Sequence, residues 1–245
     1  MNREYFEKSK EIVLERESGP GGIGTLGEKC VHSTLKQYFA EGPEFQEIKI
    51  GPYFADVCRD GRIFEIQTRQ FNKLRDKLAY FLPDYKVTVV YPVSDINYLC
   101  WIDPQSGEVS EPKKSTHRGN PLMVFAELYR IREFLTHPNF SLKIMLLETK
   151  EFRLLDGYGK YKKAKATKCD KYPVSLINEY DFQIPEDYML LLPDNLSEPF
   201  LARDFAKAAK IPLDVAQTAL LLLTELSVVK RVGKDKNAYF YEFSI

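Results

Sequence analysis

Asp56, Glu65 and Gln67 are the residues whose types and spacing could do chemistry. They lie in the stretch from Gly51 to Thr68, in which Asp60-Gly61 is a strong hairpin turn. With Asp60-Gly61 as the two-residue turn, Arg59 pairs with Arg62, and pairing outward sets Asp56 opposite Glu65 and Phe54 opposite Gln67. Facing residues of an antiparallel ladder project to one side with Cβ atoms about 5 Å apart. Asp56, Glu65 and Gln67 then share one face. Ala55, Val57, Phe64 and Ile66 share the other, which is uniformly apolar. A symmetric four-residue loop keeps this register, and a three-residue loop destroys it. Two facing carboxylates repel unless a cation lies between them. Magnesium (or manganese) suits the position, because magnesium takes oxygen ligands, needs only one or two carboxylates, and fills its remaining positions with water and substrate phosphate. Such a metal makes phosphodiester hydrolysis feasible near neutral pH.

The elements that must position these groups follow from pattern. A charged helix spans residues 2–16, and Gly19-Pro20-Gly21-Gly22 ends it. A second helix is expected from Thr25 to about Ala40, with Thr25 and Glu28 in capping-box spacing. Val31, Leu35, Tyr38 and Phe39 define its inward stripe, and Glu28 stands one turn before Val31. Glu28 is therefore either a cap partner for Thr25 or an inward acid that needs a cation. Strands are expected at 45–50, 53–59 and 62–68, then a short helix at 71–81 ended by Pro83. Strands at 85–93 and 98–102, an amphipathic helix at 121–135, and strands at 142–147 and 152–155 complete this part.

An inward Glu on a helix, then Ala55-Asp56, then Glu65-Ile66-Gln67 and a following helix resembles the PD-(D/E)XK nuclease superfamily. The likeness covers roughly residues 20–150. It implies an α/β (α+β) restriction-endonuclease-like mixed sheet flanked by helices, and a magnesium-dependent endonuclease that hydrolyses phosphodiester bonds of DNA. It further implies Asp56 and Glu65 as metal ligands and catalytic residues, with Glu28 as an accessory ligand. The sequence departs from the pattern at Gln67, where the family carries lysine. Glutamine can orient water but supplies no charge. Lys73 or Lys77, on the following helix, could take the lysine's role.

Charge decides which other surfaces could meet a polyanion. The 35 basic and 35 acidic residues cancel, so nucleic-acid binding must rest on local patches. Arg69, Lys73 and Lys77 follow the site at helical spacing and either contact phosphate or form a solvated face. Residues 153–173 hold seven basic residues against two acidic ones, and 174–199 hold six acids and no base. That reversal predicts a linker. Lys160, Lys162, Lys163, Lys165 and Lys168, interleaved with Tyr158 and Tyr161, read as a strand-tracking surface. The last 47 residues read as helix, turn, helix and a two-stranded wing, the winged-helix pattern. Its second helix offers no arginine or lysine to a groove, while the wing carries Lys234 and Lys236. The expected domains are a nuclease-like domain at 1–155, a basic-to-acidic linker at 156–185 and a winged helix at 186–245.

Other chemistries find no support. Four cysteines without a CxxC pair disfavour zinc-finger and redox readings and suit a cytoplasmic protein with reduced thiols. No nucleophile elbow, GxxxxGKS or GxGxxG is present. Charged residues at Glu4, Glu7 and Lys8 predict no secretory leader, and the longest C-terminal apolar run is far too short to span a bilayer. DNA, duplex or single-stranded, is the expected partner, with a homodimer as a further option and no membrane. A nuclease fold that binds nucleic acid without turnover, or a winged-helix regulatory protein, are the alternatives.

Overall fold

The structure, a computed structural model, describes residues 2–17, 29–157 and 166–244. In chain order, helices α1 (Arg3–Glu17) and α2 (Cys30–Ala40) precede strands β1 (Gln46–Ile50), β2 (Tyr53–Arg59) and β3 (Arg62–Ile66). A 3-10 turn, Phe71–Leu74, runs into α3 (Arg75–Phe81), followed by β4 (Lys86–Ile102) and the short β5 (Lys113–Lys114). Helix α4 (Val124–Leu128) lies between two 3-10 segments, Pro121–Met123 and Tyr129–Phe134. Strands β6 (Phe140–Leu154) and β7 (Thr167–Phe182) come next. The chain closes with the 3-10 segment Pro185–Leu191, β8 (Phe200–Leu201), α5 (Ala202–Ala209), α6 (Leu213–Glu225), β9 (Val229–Asp235) and β10 (Ala238–Phe243).

These elements make a mixed α+β structure. Among the described residues, one seven-stranded sheet runs in the order β1-β2-β3-β4-β6-β7 with β5 beside β4, and a three-stranded sheet runs β8-β10-β9. β1 and β2 are antiparallel, whereas β3 and β4 are parallel, with Arg62 beside Lys86 and Ile66 beside Val90. Among the described residues, no helix is long and apolar enough to cross a membrane. The chain divides into two compact units. One comprises residues 1–59, 92–119 and 145–179, and the other 60–91, 120–144 and 180–245.

In the first unit, α1 and α2 join through aromatic side chains. Tyr38 meets Phe6 edge-on at 5.7 Å and Tyr5 at 6.0 Å, and the backbone N–H of Asn2 donates to its hydroxyl. Leu35 and Phe39 are buried as the inward stripe requires, with Ala55 and Val57 of β2 likewise buried. Helix α2 begins at Cys30, its N-cap residue Lys29 makes no side-chain cap, and the expected Thr25–Glu28 capping pair lies outside the described residues. The missing cap comes from β7, where Asp170 accepts the N–H of Cys30 at 3.1 Å. A carboxylate at a helix N-terminus meets both an orphan N–H and the positive dipole end.

The second unit carries the crossover between the parallel strands. A parallel pair needs a connection that climbs back over the sheet, and the 3-10 turn plus α3 supplies it. Leu74, Leu78 and Phe81 are its buried side. Side chains fasten both ends: Glu127 accepts the N–H of Phe71 at 3.0 Å, and Asn139 donates to the carbonyl of Leu82 at 2.9 Å. Burial and the neighbouring Glu127 push the Tyr91 hydroxyl up to about 12. Its ring packs edge-on against Phe71 at 5.9 Å.

Several expected boundaries change. The strands expected at 85–93 and 98–102 are one strand, β4. Pro92 interrupts the sequence pattern and lies where the pairing with β3 ends: Gln67 donates to Val90, and proline has no N–H with which to continue the ladder. The helix expected at 121–135 breaks at Ile131, whose φ of −130° and ψ of 22° leave the helical region. Residues 167–182, expected inside a linker, form β7 at the end of the sheet order, an edge position that tolerates Pro173. The two compact units interleave along the chain, whereas the expected nuclease-like domain (1–155), linker (156–185) and winged helix (186–245) are successive segments.

Candidate functional site

The turn that sets the candidate carboxylates is the expected one. β2 ends at Arg59 and β3 begins at Arg62. Asp60 and Gly61 between them take φ of 51° and 72°, the positive pair of a type I′ hairpin turn. β2 and β3 are neighbours in the sheet.

On β2, Asp56 is largely buried, and its Oδ2 lies 3.3 Å from Nε2 of His32 on α2. The contact is an ion pair whenever the imidazole is protonated. One turn along α2, the buried Lys36 pairs with Glu47 of β1. Helix α2 therefore presents His32 and Lys36 to acids of the first two strands.

On β3, Glu65 is only 2% exposed. Lys77 on α3 donates from Nζ to its Oε2 at 2.8 Å. Gln67, just past the strand, continues the parallel pairing by donating its backbone N–H to Val90 at 2.9 Å. Its side-chain amide donates to the carbonyl of Arg69. Gln67, which stands where the nuclease resemblance expects lysine, is thus turned to its own backbone, and the ammonium beside Glu65 comes from Lys77. Arg69, in the loop after β3, and Lys73, in the 3-10 turn, are exposed, so the row of three expected phosphate contacts separates into one half-buried ion-pair partner and two solvent-facing cations.

The remaining expected residues are scattered. Glu28, Lys160, Lys162, Lys163 and Lys165 lie outside the described residues. Lys234 and Lys236 are exposed on the terminal hairpin, where Lys234 lies 5.1 Å from the Tyr239 ring centroid and Arg231 packs on it at 4.4 Å. Lys168 lies on β7 and joins a cluster that the sequence reading missed. There the buried carboxylate of Glu151 on β6 receives Arg153 at 2.6 Å, Lys168 at 3.2 Å and Lys171 at 3.5 Å. Glu151-x-Arg153 on one strand face, followed by Lys168-x-x-Lys171, was the available signal. Burial alone would raise the Glu151 carboxyl, but the three cations outweigh it and hold it below the usual carboxylate range.

Magnesium can be tested against these side chains. Asp56 and Glu65 are each the oxygen donor it takes, and it asks for only one or two carboxylates besides water and phosphate. Among the described residues, no group of three or more His, Cys, Asp and Glu side chains is placed to hold a metal ion. Any such ion would take most of its positions from water and substrate, since the described side chains form no dedicated cage.

Residues 29–183 match the family described as "Domain of unknown function (DUF8091)". The match spans α2 through β7 and includes every described residue of the three clusters above. A protein of Treponema pallidum (strain Nichols), titled "Uncharacterized protein", is 28% identical over 186 residues, covering 76% of this chain and 74% of its own length. No solved structure matches the chain.

Proposed function

The chain belongs to the family described as "Domain of unknown function (DUF8091)", and for this member we propose a metal-dependent nuclease of the PD-(D/E)XK kind, hydrolysing phosphodiester bonds of DNA. One observation carries the reading. Lys77, on the helix that follows β3, donates to the buried Glu65 at 2.8 Å. The chain lacks lysine at position 67, and Lys77 supplies an ammonium to the same acidic residue from the next element.

In this reading Asp56 and Glu65 would hold magnesium. When bound, the metal supplies a polarised phosphate oxygen and a water of lowered pKa. Lys77 offsets the negative charge that builds on phosphorus and orients the attacking water. His32 fixes the orientation of the Asp56 carboxylate. The terminal helices and hairpin, residues 200–243, act as a winged-helix module whose Lys234 and Lys236 touch the DNA backbone. Such contacts add affinity without sequence preference.

The test is cleavage of supercoiled plasmid and of single-stranded DNA with magnesium or manganese, for wild type, Asp56→Asn, Glu65→Gln and Lys77→Gln. Metal-dependent cleavage that falls roughly 10²-fold or more in each variant supports the proposal. DNA binding with no cleavage by wild type overturns it in favour of a nuclease-like binding protein. Neither binding nor cleavage removes the nucleic-acid reading altogether.

A further inference from the structure

The cation cluster on β6 and β7 is more basic than its carboxylate requires. Glu151 is 4% exposed and carries one negative charge, yet Arg153, Lys168 and Lys171 all converge on it. One guanidinium satisfies one carboxylate. Two positive charges therefore remain, held together against their own repulsion. The burden shows on Lys171: burial lowers its ammonium pKa, Glu151 opposes that, and Lys168 and Arg153 push it down further.

Two of the three cations have a further partner. The guanidinium of Arg153 lies 5.6 Å from the Trp101 ring centroid, and Lys171 donates to the Ser94 hydroxyl at 3.0 Å. The heads still reach water, with the side chain of Lys168 69% exposed and that of Lys171 33% exposed. Basic charge continues beyond the cluster. On β5, the exposed Lys113 pairs with Leu99, two positions before Trp101 on β4 and on the same face. At about 3.3 Å per residue, that places it further along than one phosphate group reaches.

We infer that Arg153, Lys168 and Lys171, gathered by Glu151 and continued by Lys113, bind the phosphodiester backbone of a nucleic-acid strand. The ligand class follows the nuclease reading, but none of the residues proposed for metal or catalysis takes part. A phosphate entering the cluster takes over the surplus charge and competes with Glu151 for the same donors. The sole tryptophan of the chain, Trp101, stands beside it as a reporter.

The experiment titrates the full chain in EDTA, which stops metal-dependent cleavage, with a labelled thymidine 20-mer over a salt series. It follows anisotropy and Trp101 fluorescence together, and thermal melting checks each variant's fold. Lys168→Ala is expected to weaken binding three- to tenfold and to reduce the salt slope by about one, while Lys168→Arg stays near wild type. Lys171→Ala is expected to act alike, and the exposed Lys168 carries the test if Lys171→Ala unfolds the chain. Glu151→Gln is expected to tighten binding, an outcome that a purely structural network does not give. Lys8→Ala, an exposed charge on α1, is the control and leaves affinity unchanged. Unaltered affinity in Lys168→Ala, or saturation without any change at Trp101, overturns the inference. Inorganic phosphate that shifts Trp101 equally at matched phosphate concentration also overturns it, in favour of a small-anion site. Lost cleavage with this binding intact removes the nuclease reading alone. Intact cleavage with affinity indifferent to Lys168 removes this inference alone.

Discussion

Glu65 and Lys77 show what one buried ion pair asks of its surroundings. A buried acid that loses its cation retains the desolvation cost without the attraction that offset it. Lys77→Met is therefore expected to lower stability by about 2 kcal/mol, less than for a fully buried pair because the lysine is partly solvated. Lys77→Arg is expected to retain most of that stability, and urea unfolding at neutral pH measures both. Glu151 gives a pH dependence whose sign is fixed. Its folded pKa is depressed, so its stabilisation is present above the unfolded carboxylate value near 4.3 and is lost as pH falls through the lower folded value. Thermal melts between pH 7 and pH 3 are expected to fall less steeply for Glu151→Gln than for wild type. The sequence named both Lys73 and Lys77 as candidates to stand in for the missing lysine, and spacing alone could not choose. That Lys77 and not Lys73 meets Glu65 follows from the 3-10 turn at Phe71–Leu74, whose three residues per turn put Lys73 out of phase with the α-helical Lys77.

Helix α2 depends on a residue far away in the chain. Asp170 of β7 caps its first N–H, and no local pattern around residues 25–30 encodes that partner. Asp170→Ala is expected to cost about 1 kcal/mol and to speed amide exchange at Cys30, read by native-state hydrogen exchange. Where local signals govern, the sequence was sufficient: α1, β1, β2, β3 and the Asp60-Gly61 turn lie close to their expected bounds. The long strands were not legible. Pro92 and Pro173 read as breaks, and the basic run before β7 read as a linker. A strand beyond its partner's end or at a sheet edge accepts proline and charge, and strand order is invisible to a local pattern.

At the scale of the molecule, residues 180–245 are not an appendage of the unit they belong to. The 3-10 segment after β7 buries Tyr188, whose ring lies 5.1 Å from Phe182 and 6.1 Å from Phe125. Asn120 donates from its side chain to the carbonyl of Ala209 in α5 at 2.8 Å. Deleting 186–245 uncovers Phe125 and its neighbours, so the shortened chain is expected to bind the dye ANS and melt without a sharp transition. A wild-type-like melt of residues 1–185 would show a detachable tail instead. Helix α1 has the opposite relation to its surroundings. Arg3 donates to the carbonyl of Ile177 at 2.9 Å, and Lys10 to that of Val174 at 2.7 Å, both on the outermost strand β7. Those oxygens are the rungs to which a foreign strand would zip. Without its first seventeen residues the protein would be left with a naked rim, and its copies are expected to grow into thioflavin-staining polymers rather than remain discrete particles.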